Sequence, residues 1–203
     1  MNKKTLFVAA GILAGLTAVA AAQAVVGQPA PAFAATNSNG RPEALADFKG
    51  KWVVLEWTNN ECPFVQKHYG SGNMQKLQKA YTGKGVTWLS VNSSGAGKEG
   101  YTDAAQANAL TRKRGAAPTA VLLDPEGKLG RLYGARTTPH MYVIDPQGRL
   151  VYNGAIDDKP STDVADIAGA KNYVSSALDE AMAGKRVTTA SSAPYGCAVK
   201  YAN

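Results

Sequence analysis

The run Trp52-Val53-Val54-Leu55-Glu56-Trp57-Thr58-Asn59-Asn60-Glu61-Cys62-Pro63-Phe64-Val65 changes character twice. Val53 to Trp57 are mostly apolar and β-favouring, which predicts a buried strand. A short polar loop follows, and then a cysteine where a helix begins. Pro63 suits the first helical position: its fixed φ fits the helix, and its missing N–H would have no partner there. That puts Cys62 at the N-cap, facing free backbone N–H groups and the positive end of the helix dipole. Both favour the thiolate, which is the nucleophilic form. Glu61 pushes the other way, but it can turn its charge to water. A lone cysteine is most often a small buried apolar residue. Here the flanking Thr58, Asn59, Asn60 and Glu61 argue against burial, so the sulfur is expected half-open to solvent.

The chain has 203 residues and a net charge of +7. Lys3 and Lys4 precede an apolar run from Leu6 to Ala20, and Ala22-Gln23-Ala24 is an A-x-A cleavage pattern. Residues 1–24 therefore read as a secretory signal peptide, with a membrane anchor as the alternative. No second run is long enough to span a bilayer, so no stable membrane anchor is expected after cleavage, and the location is periplasmic or secreted. Residues 25–184 form one domain able to bury a core without disulfide staples, and residues 185–203 form a tail carrying Cys197. The basic residues are scattered. Their one tight run, Arg112-Lys113-Arg114, reads as a solvated helix end rather than a nucleic-acid patch, so no nucleic-acid partner is expected. Two cysteines in an oxidising compartment suggest one disulfide, either a permanent staple or a bond that cycles.

Further along, Val26 to Ala34 is extended, because residues before proline avoid the helical region, and Thr36 to Gly40 is a turn. Arg41 to Phe48 holds one helical turn. The Cys62 helix runs to Tyr69 and breaks at Gly70-Ser71-Gly72. Asn73 caps the next helix, with Met74, Leu77 and Tyr81 on one face. Val86–Val91, Thr119–Leu123, His140–Ile144 and Leu150–Tyr152 read as strands. Asp145-Pro146-Gln147-Gly148 joins the last two as a β-turn. Thr102 or Asp103 caps a helix to Arg114, a short helix spans Leu129–Tyr133, and Asn172–Met182 is the last helix. In the tail, Cys197, Val199 and Tyr201 alternate and share a face. Alternating strands and helices followed by a hairpin give an α/β sheet of mixed direction.

Several of these stretches resemble the redoxin group, which includes the AhpC/TSA peroxiredoxins and thioredoxin-like exported proteins. They are Gly27-Gln28-Pro29-Ala30-Pro31-Ala32-Phe33, the lead-in from Leu45 through Gly50-Lys51-Trp52 to the strand, Cys62-Pro63, and Thr138-Pro139 before a strand. Lys67-His68-Tyr69, Val91-Asn92-Ser93-Ser94 and Tyr195-Gly196-Cys197-Ala198-Val199-Lys200 resemble a single-active-cysteine, peroxiredoxin-like subgroup. The resemblance implies a thioredoxin-like fold, with a mixed central β-sheet flanked by helices. It also implies a cis Thr138–Pro139 bond beside Cys62, with Thr138 free to pair with an extended substrate. Two departures stand out. Val65 occupies the place of the second cysteine of Cys-x-x-Cys. Counting back from Cys62, Leu55 and Asn59 stand where peroxiredoxins have Pro and Thr, and Thr58 lies one residue early. Thr58 and Asn59 are the candidates to handle substrate, and Arg136 is the nearest candidate for the arginine beside a peroxidatic thiolate.

The expected activity is thiol-dependent oxidoreduction without a cofactor, with Cys62 attacking a peroxide oxygen or an oxidised sulfur. Cys197, beyond a flexible Ser-Ser-Ala-Pro segment, is the candidate resolving thiol. Reduction by an external, thioredoxin-like thiol donor is the alternative. Peroxide reduction is the main reading, disulfide reduction or isomerisation of exported proteins the second. A non-enzymatic copper-binding or interaction module is the third, since Cys62, Cys197, His68 and His140 are soft or borderline ligands, though without short ligand spacing.

Overall fold

The computed structural model describes residues 24–203. The expected signal peptide therefore lies outside the described residues except for Ala24. The quoted run forms strand β3 (Val53–Trp57), every residue of it buried. It lies between β4 (Thr87–Asn92), paired parallel, and β7 (His140–Ile144), paired antiparallel. With β1 (Ala34–Asn37), β2 (Pro42–Ala44), β5 (Ala120–Leu123) and β8 (Leu150–Gly154), they make a seven-stranded mixed sheet in the order β2-β1-β5-β4-β3-β7-β8. The β1–β2 hairpin was not foreseen. The turn expected over Thr36 to Gly40 is confined to Ser38, Asn39 and Gly40, because Thr36 and Asn37 belong to β1, and β2 is three residues long and begins at a proline.

Side chains alternate across β3 and so feed two cores. Val53, Leu55 and Trp57 pack with Leu89, Tyr142, Phe33 and the short helix α4 (Lys128–Tyr133). Val54 faces the opposite layer with Trp88, Met141 and Val143. That layer is built from α1 (Pro63–Gly70), α2 (Asn73–Thr82) and α5 (Tyr173–Met182), through Val65, Met74, Tyr81, Val174 and Leu178.

Glu56 shares Val54's face and is fully buried. Four donors converge on its carboxyl: Tyr69 Oη at 2.7 Å, Trp88 Nε1 at 2.7 Å, Gln78 Nε2 at 3.1 Å and Ser90 Oγ at 3.1 Å. Burial raises its pKa above the ordinary value, and the four hydrogen bonds oppose that.

The helix ends follow their sequence signals, with two exceptions. Asp103 caps α3 (Ala104–Lys113) in a capping box with Gln106, and Asn172 caps α5. Asn73, however, is the first residue of α2 rather than its cap. Gly72, at φ 77°, makes the left-handed turn that separates α1 from α2. Freed from capping, the Asn73 amide meets His68 Nδ1 at 2.9 Å. Arg114 is not a solvated helix end either. It is half-buried, with its guanidinium 4.5 Å from the centre of the Tyr69 ring and bonded to the Asn60 carbonyl. The apolar ring over which it stacks is what draws it in.

Candidate active site

Cys62 caps α1 in an extended conformation, with Pro63 at the first helical position. The Asn59 side chain shapes the approach: its Oδ1 accepts from the Glu61 N–H at 2.8 Å, closing an Asx turn. Glu61 is exposed, so its charge is in water. The sulfur is not half-open as the polar loop predicts; Cys62 has no exposure at all. The cover comes from far along the chain. The Thr138–Pro139 bond is cis. Thr137 and Thr138 form strand β6, and Cys197–Ala198 form β9, paired antiparallel to it with Thr138 opposite Cys197. The tail thus lies across the helix start, and the Cys62 thiol donates to the Thr138 carbonyl at 3.0 Å.

Cys62 and Cys197 are both free thiols, and the Thr138 carbonyl that the Cys62 thiol bonds belongs to the residue paired with Cys197. Their acidities are pushed apart. Burial raises the Cys62 pKa, but the Cys197 thiol, Thr138 and the backbone N–H groups of Val65 and Cys197 outweigh it, and the net shift is downward. The sulfur makes no formal capping hydrogen bond, so the Val65 N–H acts as an oriented dipole. The Thr138 hydroxyl is buried with no hydrogen-bond partner of its own, which leaves it free to serve an anion on Cys62. Burial and the neighbouring Cys62 sulfur raise Cys197 to about 12. One thiol therefore ionises more readily than an ordinary cysteine and the other less readily. Following thiolate absorbance of the reduced protein against pH checks this. One cysteine should ionise below the ordinary thiol range and the other well above it. Cys197→Ser should move the first upward only slightly, because serine still donates, and Cys197→Ala clearly upward.

The Ser-Ser-Ala-Pro segment is not a flexible hinge that swings Cys197 in. Ser192 Oγ accepts from the Ala155 N–H at 2.9 Å and pairs with Tyr152 Oη at 2.7 Å. Beyond Cys197, Val199 N–H bonds the Arg136 carbonyl, and Tyr201 Oη bonds the Ala135 carbonyl at 2.7 Å. Cys197 is held in place from both sides. Cys197 and Val199 are both half-buried, but they pack against opposite cores, so the tail crosses between layers instead of presenting one face.

The other sequence candidates are placed elsewhere. Thr58 lines a cavity with Asn60, Ser90, Asn92 and Arg114, of which Cys62 is not part. The Asn59 amide is spent on the turn and, at 3.4 Å, on the Glu99 carbonyl. Arg136 is exposed. His140 bonds Asn153 at 2.8 Å, as a satisfied histidine at a strand start does. Among the described residues no three His, Cys, Asp or Glu side chains group as metal ligands would. One cluster that spacing could not reveal joins α1 to the tail. Tyr195 Oη donates to Asp157 Oδ1 at 2.5 Å and lies 3.3 Å from His68 Nε2. Burial lowers His68 to about 4 despite Asp157, so the ring is neutral at physiological pH.

A cysteine at a helix N-terminus beside a cis-proline loop, on a mixed sheet, is the arrangement expected from the redoxin resemblance. The sequence model of the AhpC/TSA family matches residues 26–153. The chain belongs to the AhpC/TSA family. Within the wider thioredoxin-like redoxins, this AhpC/TSA chain is 28% identical over 161 residues to the thiol-disulfide oxidoreductase ResA of Bacillus subtilis, covering 74% of this chain and 84% of that protein. It is 29% identical over 126 residues to ResA of Bacillus thuringiensis subsp. konkukian, covering 62% and 67%. Among solved structures, an uncharacterized conserved protein of Geobacillus kaustophilus superposes with a TM-score of 0.75 at 26% identity, over 88% of this chain and 93% of that one. The thiol:disulfide interchange protein DsbE of Chlorobium tepidum, so named as a putative member, superposes with a TM-score of 0.52 at 26% identity, over 64% and 84%.

Proposed function

We propose that this AhpC/TSA protein is a thiol–disulfide oxidoreductase whose working pair is Cys62 and Cys197. One observation carries the reading: Thr138, whose carbonyl the Cys62 thiol bonds, pairs with Cys197 across β6–β9, and the two thiols have opposed acidities. In the forward half-reaction the Cys62 thiolate attacks one sulfur of a substrate disulfide. A mixed disulfide forms and the other substrate sulfur leaves as thiolate. That thiolate takes the Cys197 proton, and Cys197 attacks Cys62 Sγ. The products are the Cys62–Cys197 disulfide and a fully reduced substrate. Two electrons pass from the protein to the substrate, and an external dithiol restores them.

The relatives' names favour disulfide exchange over peroxide reduction. The positions of Thr58, Asn59 and Arg136 lean the same way, since none is arranged to hold a peroxide against Cys62. Thr138 and Pro139 are the proposed substrate-pairing loop. Export is part of the proposal, with residues 1–24 as a cleaved signal, residues 25–184 as the redoxin domain and residues 185–203 as the tail that carries the resolving thiol. Among the described residues no helix is long and apolar enough to cross a membrane.

Reduced full-length protein mixed with one equivalent of an oxidised peptide disulfide tests the reading. Intact mass should fall by two hydrogens, and insulin disulfides should be reduced catalytically with dithiothreitol as donor. Consumption of hydrogen peroxide with dithiothreitol while insulin stays oxidised would give the site to peroxide chemistry instead.

A further inference from the structure

The tail does more than carry a thiol, because its path describes what the cleft binds. Thr137 and Thr138 offer one edge of backbone, and Ala198 and Cys197 fill it as an antiparallel strand. One residue before Cys197, Gly196 sits at φ 130°, and a Cβ there would lie 2.1 Å from the Thr138 carbonyl oxygen. Only glycine fits at that place. Two residues before Cys197, the Tyr195 ring packs against Phe64 with centroids 5.8 Å apart, and its hydroxyl meets Asp157 and His68. Asp157 and His68 are 2% and 0% exposed. If the tail leaves, Asp157 loses a buried hydrogen-bond donor, and an incoming strand can replace it only with a hydroxyl at the same depth. Ala198 points outward and is not read.

We infer that the cleft over Cys62 is a peptide subsite for an extended strand of the pattern Tyr-Gly-Cys, presented by a partner protein with that cysteine in a disulfide, and that residues 195–198 are its tethered occupant. The inference rests on the disulfide-exchange reading and deepens it by naming the substrate class. Phe64, His68 and Asp157 are the specificity residues. Tyr195 and Gly196 set how firmly the tail competes.

The test uses full-length protein carrying Cys197→Ser, so that Cys62 is the only cysteine. The probes are synthetic nonapeptides matching residues 192–200, with the cysteine blocked as a thionitrobenzoate mixed disulfide. Cys62 attacks the peptide sulfur, the Cys62–peptide disulfide forms, and the coloured thionitrobenzoate anion leaves. The Tyr-Gly-Cys peptide should react at least tenfold faster than peptides with alanine in place of the tyrosine or the glycine. Adding Tyr195→Ala to the protein loosens the competing tail, so all rates should rise while the preference persists. A phenylalanine peptide is a fourth probe, and Asp157→Ala should erase the preference for tyrosine over it, because Asp157 is the acceptor of the tyrosine hydroxyl. Equal rates for the first three peptides would overturn the inference while leaving disulfide exchange intact. No reaction with any peptide, nor with a small mixed disulfide in the Tyr195→Ala background, would instead remove the exchange reading itself.

Discussion

Cys62→Ser will abolish insulin-disulfide reduction, by roughly three orders of magnitude or more, because no other described thiol has a lowered pKa to replace it. Cys197→Ser will also halt turnover, but in a different way. Its Cys62 can still open a substrate disulfide, and the product then has no neighbouring thiol to release it. The expected result is a one-to-one mixed disulfide that persists through the dithiothreitol-driven assay and is visible by intact mass. The asymmetry follows from the geometry. Both cysteines adjoin Thr138, yet only Cys62 has the helix end, the Thr138 hydroxyl and the Cys197 thiol favouring its anion. Symmetric behaviour, with both single variants trapping substrate equally, would show that the roles are not divided as described. Retained turnover in Cys197→Ser with dithiothreitol would assign resolution to the external donor and leave Cys197 as a cover for Cys62.

That cover is the part of the site the sequence concealed. The strand, the turn and the helix start around Cys62 are local events, each written in adjacent residues: the apolar run Val53–Trp57, the Asx turn at Asn59, the proline at the first helical position. Local physics suffices for them. Burial of Cys62 depends on a two-residue strand far away in the chain, too short to show any period and paired with another two-residue strand. Polar neighbours therefore mispredicted an open sulfur. The clues were present but not local. A glycine beside Cys197 and a tyrosine beside that are the residues a close backbone approach and a polar pocket demand.

The same distinction applies to Glu56. A lone carboxyl inside an apolar strand signals something unusual, but its four partners come from β4, α1 and α2, and their convergence is tertiary. The fold itself was more readable. Five of the seven strands of the main sheet were evident, because alternation, β-turn chemistry and helix caps repeat along the chain. The missing β2 and the displaced cap at Gly72 are both places where a single residue's backbone geometry, rather than a pattern, decides.

Glu56→Ala should cost about 3 kcal/mol or more of stability, since it strands several buried donors at once, each worth about 1–3 kcal/mol when left unpaired. Urea unfolding will show it as a lower midpoint with an unchanged slope. Glu56→Gln should cost far less. Its oxygen can take the three donors that now meet Glu56 Oε2, and its amide can donate to Tyr69 Oη, much as a protonated carboxyl would. The pair also fixes a pH dependence. Burial raises the folded-state pKa of Glu56 above its ordinary 4.5, so the folded protein binds the proton more tightly than the unfolded chain. The associated stability is complete below that ordinary value and is lost as pH rises through the raised one. Glu56→Gln has no such proton. The difference in unfolding free energy between wild type and Glu56→Gln should therefore shrink, or change sign in favour of glutamine, from acid to neutral pH. If the two proteins keep a constant difference over that range, the folded-state pKa of Glu56 is unshifted, and the four donors cancel the effect of burial.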